Sequence, residues 1–192
     1  MVKTISDWMR RLSTGWVALL ALLVFVLFSG LVLPHQAAKA ERETGDSDSP
    51  DTSFFYTPGD LYQMAESYGE EGRQAYVRAR FTFDLIWPLV YAFFLTTAIS
   101  WTFGRAFSPD SRWQMANLAP LLGTIFDYLE NLSTSVVMTR YPDQTMLVDM
   151  LAPVFTALKW GWLGASFLLL LGGFIVMTWR WARKDAARTG SG

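Results

Sequence analysis

The sequence predicts an all-α integral membrane protein, a bundle of four transmembrane helices that forms one domain over residues 1–192. Three 20-residue runs, 14–33, 85–104 and 160–179, contain no Asp, Glu, Lys or Arg. Each run is long enough to cross a hydrocarbon core of about 30 Å. A further segment, 113–139, also has the length to cross and carries two charges, both acidic. We place the spans at about 14–34, 82–104, 113–139 and 152–179.

Basic residues next to the predicted spans indicate how the protein is oriented in the membrane. They precede the first span, lie between the second and third, and follow the fourth: Lys3, Arg10, Arg11, Arg105, Arg112, Arg180, Arg183, Lys184 and Arg188. Basic residues favour the cytoplasmic side, so we expect both termini in the cytoplasm and a bacterial inner-membrane location. The alternative is a signal peptide cleaved after Ala38-Lys39-Ala40, but the 20-residue apolar run is longer than a signal peptide needs.

The first connection divides into a linker and an amphipathic helix. Residues 36–56 contain an acidic stretch with too little apolar content to fold alone, so we expect a mobile linker. Thr57, Pro58 and Asp60 have the spacing of a capping box, which predicts a helix over 58–68. Its apolar residues recur at helical spacing. We expect this helix flat on the outer membrane surface, and the alternative is a lid over the bundle.

A second helix is expected to follow and to run directly into the second span. One face of it carries residues that advance by three or four, namely Arg73, Tyr76, Arg80, Asp84, Trp87, Pro88 and Tyr91. Arg80 and Asp84 have the i, i+4 spacing of an ion pair at the outer boundary of the membrane. This stripe is a candidate ligand contact, although an ion pair at an interface also serves as a local anchor.

The third predicted span carries the polar residues Asp127, Glu130 and Asn131 at membrane depth. Ionisable groups there cost at least a few kcal/mol each, so they face the bundle interior and mark a functional site. Lys159 is at a matching depth and is the expected partner of Glu130, unless it extends to the outer headgroups. We expect Asp127 to be protonated, which makes Asp127 and Glu130 the candidate catalytic pair.

Composition excludes several chemistries. The chain has no cysteine and a single histidine, and it lacks phosphate-binding and nucleophile motifs, so we expect neither a cofactor nor a metal. A net charge of −1 gives no basic surface for nucleic acid. Three functions remain: a module that binds a lipid headgroup or a small amphiphilic or cationic molecule, an enzyme or proton-coupled carrier, and a structural subunit that contacts other membrane proteins or a second copy. The candidate ligand-binding residues are Arg73, Tyr76, Arg80, Asp84, Tyr91, Asp127, Glu130, Asn131 and Lys159.

Overall fold

The computed structural model describes residues 2–45, 49–50 and 52–189, and every regular element in these ranges is helical. This agrees with the all-α prediction. A π-helical segment, Phe28–Val32, joins the second helix to the third, and a 3₁₀ segment, Arg112–Leu118, precedes the seventh. The helices are α1 (Val2–Leu12), α2 (Gly15–Leu27), α3 (Leu33–Thr44), α4 (Pro58–Ser67), α5 (Gly69–Arg80), α6 (Phe83–Ala106), α7 (Ala119–Arg140) and α8 (Val148–Thr189).

Among the described residues, three helical stretches are long and apolar enough to cross a membrane. They are Gly15–Thr44, Gly69–Ala106 and Val148–Arg183. Helix α7, the main part of the third predicted span, is not one of these three, because its many polar residues lower its mean hydropathy. The chain is therefore an all-helical protein with three candidate membrane-spanning helices.

Helix α7 lies at the centre of the fold, packed against α5, α6 and α8. At its C-terminal end it meets the cluster of Leu61, Ala65 and Tyr76 from α4 and α5. Near the other end, α2 packs on α6, where the ring of Phe25 stacks on the ring of Phe94 at 4.7 Å between centroids. Polar side chains of α7 are consequently enclosed by neighbouring helices.

Helix α1 was not predicted, and polar contacts attach it to the bundle. Ser6 Oγ donates to Asn117 Oδ1 at 2.8 Å, and Asn117 Nδ2 donates to Ser100 Oγ at 2.9 Å. All three side chains are buried. Another face of α1 exposes large apolar residues, namely Val2, Ile5, Trp8 and Leu12. Their spacing of three or four is the sequence signal that identifies this amphipathic helix.

The first part of the predicted 36–56 linker is helical, which corrects the sequence-based expectation for residues 36–44. The segment contains Ala, Lys, Glu and Arg, which are strong helix formers, and it continues the preceding span. Gly72 of α5 allows close approach, because a β-carbon there would lie 3.0 Å from the carbonyl oxygen of Glu43. Residues 46–48 and 51 lie outside the described residues, and mobility of the remaining linker stays a prediction.

Helix α4 begins with the predicted capping box. Asp60 N donates to Thr57 Oγ1 at 3.2 Å, and Thr57 N donates to Asp60 Oδ2 at 2.8 Å. The backbone hydrogen bond from Thr57, and then the one from its hydroxyl, lower the pKa of Asp60. The apolar residues Leu61, Met64 and Ala65 are buried within the protein. Their burial against α5, α7 and α8 replaces the expected contact with the membrane surface.

The predicted continuous helix from the α5 region into the second span is interrupted. Helix α5 ends at Arg80 and α6 begins at Phe83. At the interruption, the Thr82 hydroxyl donates to the carbonyl oxygen of Arg78 at 2.8 Å. Threonine side chains that bond nearby carbonyls compete with regular helical hydrogen bonds and favour a bend. Helix α5 lies beside the C-terminal end of α7, where Tyr76 packs with Val137 and Met138.

Candidate functional site at the centre of the helix bundle

The predicted partners Glu130 and Lys159 form an ion pair between α7 and α8. Lys159 Nζ contacts Glu130 Oε2, and the two side chains are 6% and 0% exposed, respectively. Such burial excludes the alternative in which Lys159 extends to the outer headgroups. Burial removes each charge from water at a large cost in free energy, and only the opposite charge of the partner compensates for it.

Two residues that the sequence analysis missed complete the surroundings of Glu130. The Thr156 hydroxyl lies 2.6 Å from Glu130 Oε1, 3.0 Å from the hydroxyl oxygen of Tyr56 and 3.1 Å from the carbonyl oxygen of Ala152. Thr156 precedes Lys159 by three residues, so helical spacing alone places both on one face. Tyr56 comes from the segment before α4, and its burial depends on the tertiary fold.

Asp127, Asn131 and Tyr91 form a second group. Asp127 Oδ2 accepts from the Tyr91 hydroxyl at 2.9 Å, and Oδ1 accepts from Asn131 Nδ2 at 3.3 Å. All three residues are buried. One turn of α7 therefore presents Asp127 to α6 and Glu130 to α8. Both Asp127 oxygens act as acceptors in this arrangement, and the proton expected on Asp127 stays a prediction.

Arg80, Asp84 and Tyr76 form a third group at the junction of α5 and α6. Arg80 Nε lies 3.0 Å from Asp84 Oδ2, and the guanidinium lies 4.4 Å from the centre of the Tyr76 ring. The i, i+4 pair is the one predicted from spacing. It joins the two helices across the interruption at residues 81–82. This is the local anchoring role that the sequence analysis gave as the alternative to a ligand contact.

Arg73 is separate from these groups and lines a cavity at the end of the bundle. Its Nη1 donates to the carbonyl oxygen of Ala65 at 2.8 Å, and its guanidinium lies 4.7 Å from the Tyr141 ring. The cavity has a volume of about 580 Å³ between α5 and the C-terminal end of α7. Its lining combines charged, polar and apolar side chains: Glu70, Arg73, Gln74, Val77, Arg78, Met138, Thr139 and Tyr141.

Comparison with protein-family models, with curated proteins and with solved structures finds no match for this chain. Function is therefore inferred from the geometry of the site. In the part of the chain that the structure describes, no group of three or more His, Asp or Glu side chains is placed to hold a metal ion. The nine predicted site residues thus fall into three buried groups and one cavity-lining arginine.

Proposed function

We propose that α7 crosses the membrane as a fourth span, which makes the protein a four-helix membrane bundle. At about 1.5 Å per residue, its 22 residues reach about 33 Å. Its polar residues Asp127 and Glu130 are buried, whereas Leu122, Ile125 and Leu132 are exposed. An apolar exterior around a polar interior is the arrangement that a bilayer favours. An even number of spans puts both termini on one side, and we propose that this side is the cytoplasm of a bacterial cell, because basic residues flank the spans there.

The absence of cysteine from the sequence allows a direct topology test. Single cysteines are introduced at Ser111, before α7, and at Asp143, after it, and each variant is treated in intact cells with a membrane-impermeant maleimide. We expect labelling at residue 143 alone, with residue 111 labelled after the membrane is permeabilised. Labelling of both positions in intact cells, or of neither, would contradict a fourth span.

We further propose that the protein binds a lipid headgroup in the cavity that contains Arg73 and Arg78. The observation that carries this proposal is the mixed lining of that cavity. Two guanidinium groups match the geometry of a phosphate, and Val77 and Met138 supply an apolar surface for the adjoining part of the lipid. A volume of about 580 Å³ lies within the usual range of about 300–1,000 Å³ for ligand sites.

The three buried groups then act as the support of this cavity. Thr139, a lining residue, is one of the last residues of α7, and the same helix carries Glu130 and Asp127. The ion pair with Lys159 and the hydrogen bond from Tyr91 fix α7 against α8 and α6. In a bilayer the partners of this site are therefore lipids of the surrounding leaflet.

Native mass spectrometry from a mild detergent tests the headgroup proposal. Delipidated protein is mixed with phosphatidylethanolamine or with diacylglycerol, which lacks the phosphate. We expect a retained adduct for the phospholipid and its loss in Arg78→Gln, a variant that changes an exposed side chain. Arg42→Gln on α3 is the matched control, because Arg42 is exposed and outside the cavity. Equal retention by Arg78→Gln and the wild-type protein would contradict the proposal.

A second function, proton transfer, is supported by the contacts of Thr156. Its hydroxyl lies within hydrogen-bond distance of both Tyr56 and Glu130, so a short chain of exchangeable protons leads to the ion pair with Lys159. Proton relays in membranes use such ionisable groups. Vesicles that contain a pH-sensitive dye measure the flux, and Thr156→Val should abolish it. Thr178→Val, at an exposed site on the same helix, is the control, and no flux in wild-type protein would exclude this function.

A further inference from the structure

A second cavity lies at the other end of the bundle, between the three candidate spans. It has a volume of about 610 Å³, and each of α2, α6 and α8 contributes a stretch of eight or nine residues. The walls are almost entirely apolar: Gly15, Ala18, Leu19, Leu22, Phe94, Ala98, Trp101, Thr102, Phe167, Leu170, Leu171 and Phe174. Such a stretch of helix rises about 10–12 Å, so the cavity is a groove that runs along the helix axes.

The back of the groove is closed where α6 and α8 meet. A β-carbon at Gly173 would lie 2.5 Å from the Phe103 ring, so the two helices are in close contact there. On the open side, Leu19 and Leu22 of α2 and Phe174 of α8 are exposed. The groove is therefore open toward the surroundings of the bundle and closed toward its centre.

Polar groups are confined to one end of the groove. The indole nitrogen of Trp101 lies there, 3.0 Å from where a β-carbon on Gly15 would be. This nitrogen is buried and has no hydrogen-bond acceptor among the residues that the structure describes. Arg105, one turn further along α6, is exposed and places its guanidinium 4.1 Å from the centre of the Trp101 ring. Arg11 of α1 precedes Gly15 by four residues and is also exposed.

We propose that the groove binds one acyl chain of an anionic glycerophospholipid from the leaflet at the α1 end. The chain lies against Ala98 and Leu170, and the phosphate contacts the exposed Arg105 at the end of the groove. Basic pockets between transmembrane helices on the cytoplasmic side recognise anionic headgroups in this way. The other apolar occupant is a helix of a second copy, and an apolar helix would leave the positive charge of Arg105 without a partner, whereas an anionic headgroup neutralises it.

This lipid is distinct from the one in the cavity at Arg73. The groove is formed by the three candidate spans alone and does not depend on whether α7 crosses the membrane. Native mass spectrometry therefore distinguishes the two proposals by the number of adducts lost: Arg78→Gln removes the lipid at the cavity that contains Arg73 and leaves the one in the groove.

The test uses delipidated full-length protein titrated with phosphatidylglycerol or phosphatidylcholine. Ala98→Phe fills the groove and should weaken retention of one phosphatidylglycerol about tenfold or more. Leu168→Phe, on α8 at a site that is 70% exposed and outside the groove, should leave retention unchanged. Arg105→Gln should remove the preference for phosphatidylglycerol over phosphatidylcholine, whereas Arg112→Gln, an exposed control, should keep it.

Leu22→Trp fills the groove from its rim and replaces Ala98→Phe if that variant does not fold. Unchanged phosphatidylglycerol retention in the filled variant would overturn the proposal. A wild-type dimer that becomes monomeric in the filled variant, with no lipid lost, would also overturn it and assign the groove to a second copy.

Discussion

Removal of one member of the Glu130–Lys159 pair is expected to lower the free energy of unfolding strongly. Both side chains are buried, so Glu130→Ala leaves Lys159 with a charge that neither water nor a carboxylate compensates. Breaking a buried pair in this way costs about 3–5 kcal/mol of unfolding free energy. Lys159→Met likewise leaves the buried charge of Glu130 without a partner and should lower the free energy of unfolding by a similar amount. If the effects were independent, the double variant would lose about 6–10 kcal/mol.

The double variant Glu130→Ala, Lys159→Met should instead be no less stable than either single variant. It removes both charges and leaves mainly the cavity of the truncated glutamate, so the coupling energy should be at least about 3 kcal/mol. Equilibrium unfolding in mixed micelles of sodium dodecyl sulfate and a mild detergent, followed by tryptophan fluorescence, measures it. The control is the Asp7–Arg10 pair on α1, whose side chains are 31% and 27% exposed and whose coupling should be about 0–1 kcal/mol. Additive losses at Glu130 and Lys159 would refute this reasoning.

The remaining predictions concern individual side chains. Thr57→Ala should destabilise α4 by about 1 kcal/mol and accelerate amide exchange at residues 58–67, because the N-cap acceptor is lost. The lowered pKa of Asp60 stabilises α4 fully above its unfolded value of 3.8, and this contribution is lost as pH falls through the lower folded value; Asp60→Asn should remove that pH dependence from the exchange rates. Tyr91→Phe should lower the free energy of unfolding by about 1–3 kcal/mol, because Asp127 loses a buried donor. Asp127→Asn should keep the fold and, if Asp127 is protonated, remove a carboxylic acid band from the infrared spectrum near neutral pH. Ser6→Ala should accelerate amide exchange in α1 without changing that of α4.

Contacts set by local spacing were the ones that sequence predicted well. The capping box of Thr57 and Asp60 and the ion pair of Arg80 and Asp84 each depend on residues three or four apart, and helical geometry fixes such distances. The pairing of Glu130 with Lys159 was also predictable, because the position of a residue along a helix follows from the residue count at about 1.5 Å per residue. These relations need no knowledge of the whole fold.

Features that depend on packing between distant segments could not be derived in the same way. Tyr56 follows a polar linker, and nothing in that linker indicates that its ring enters the bundle beside Thr156. The contact of α3 with α5 depends on the absence of a side chain at Gly72, which has meaning only once the two helices are adjacent. Arg73 shares a helical face with Arg80 but lies about two turns nearer the start of α5, where its bond to Ala65 holds it beside a separate cavity.

The composition of α7 also has a consequence for biosynthesis. A chain that leaves the ribosome presents α7 to the insertion machinery before α8, and an acid at the centre of a helix opposes insertion by about 2.5–3.5 kcal/mol. Lys159 is synthesised 29 residues after Glu130, a delay of about 1.5–6 s at 5–20 residues per second. During that interval α7 cannot form its ion pair. We therefore expect α7 and α8 to enter the bilayer together as a helical hairpin, and a nascent chain arrested before Lys159 to hold α7 in the translocon.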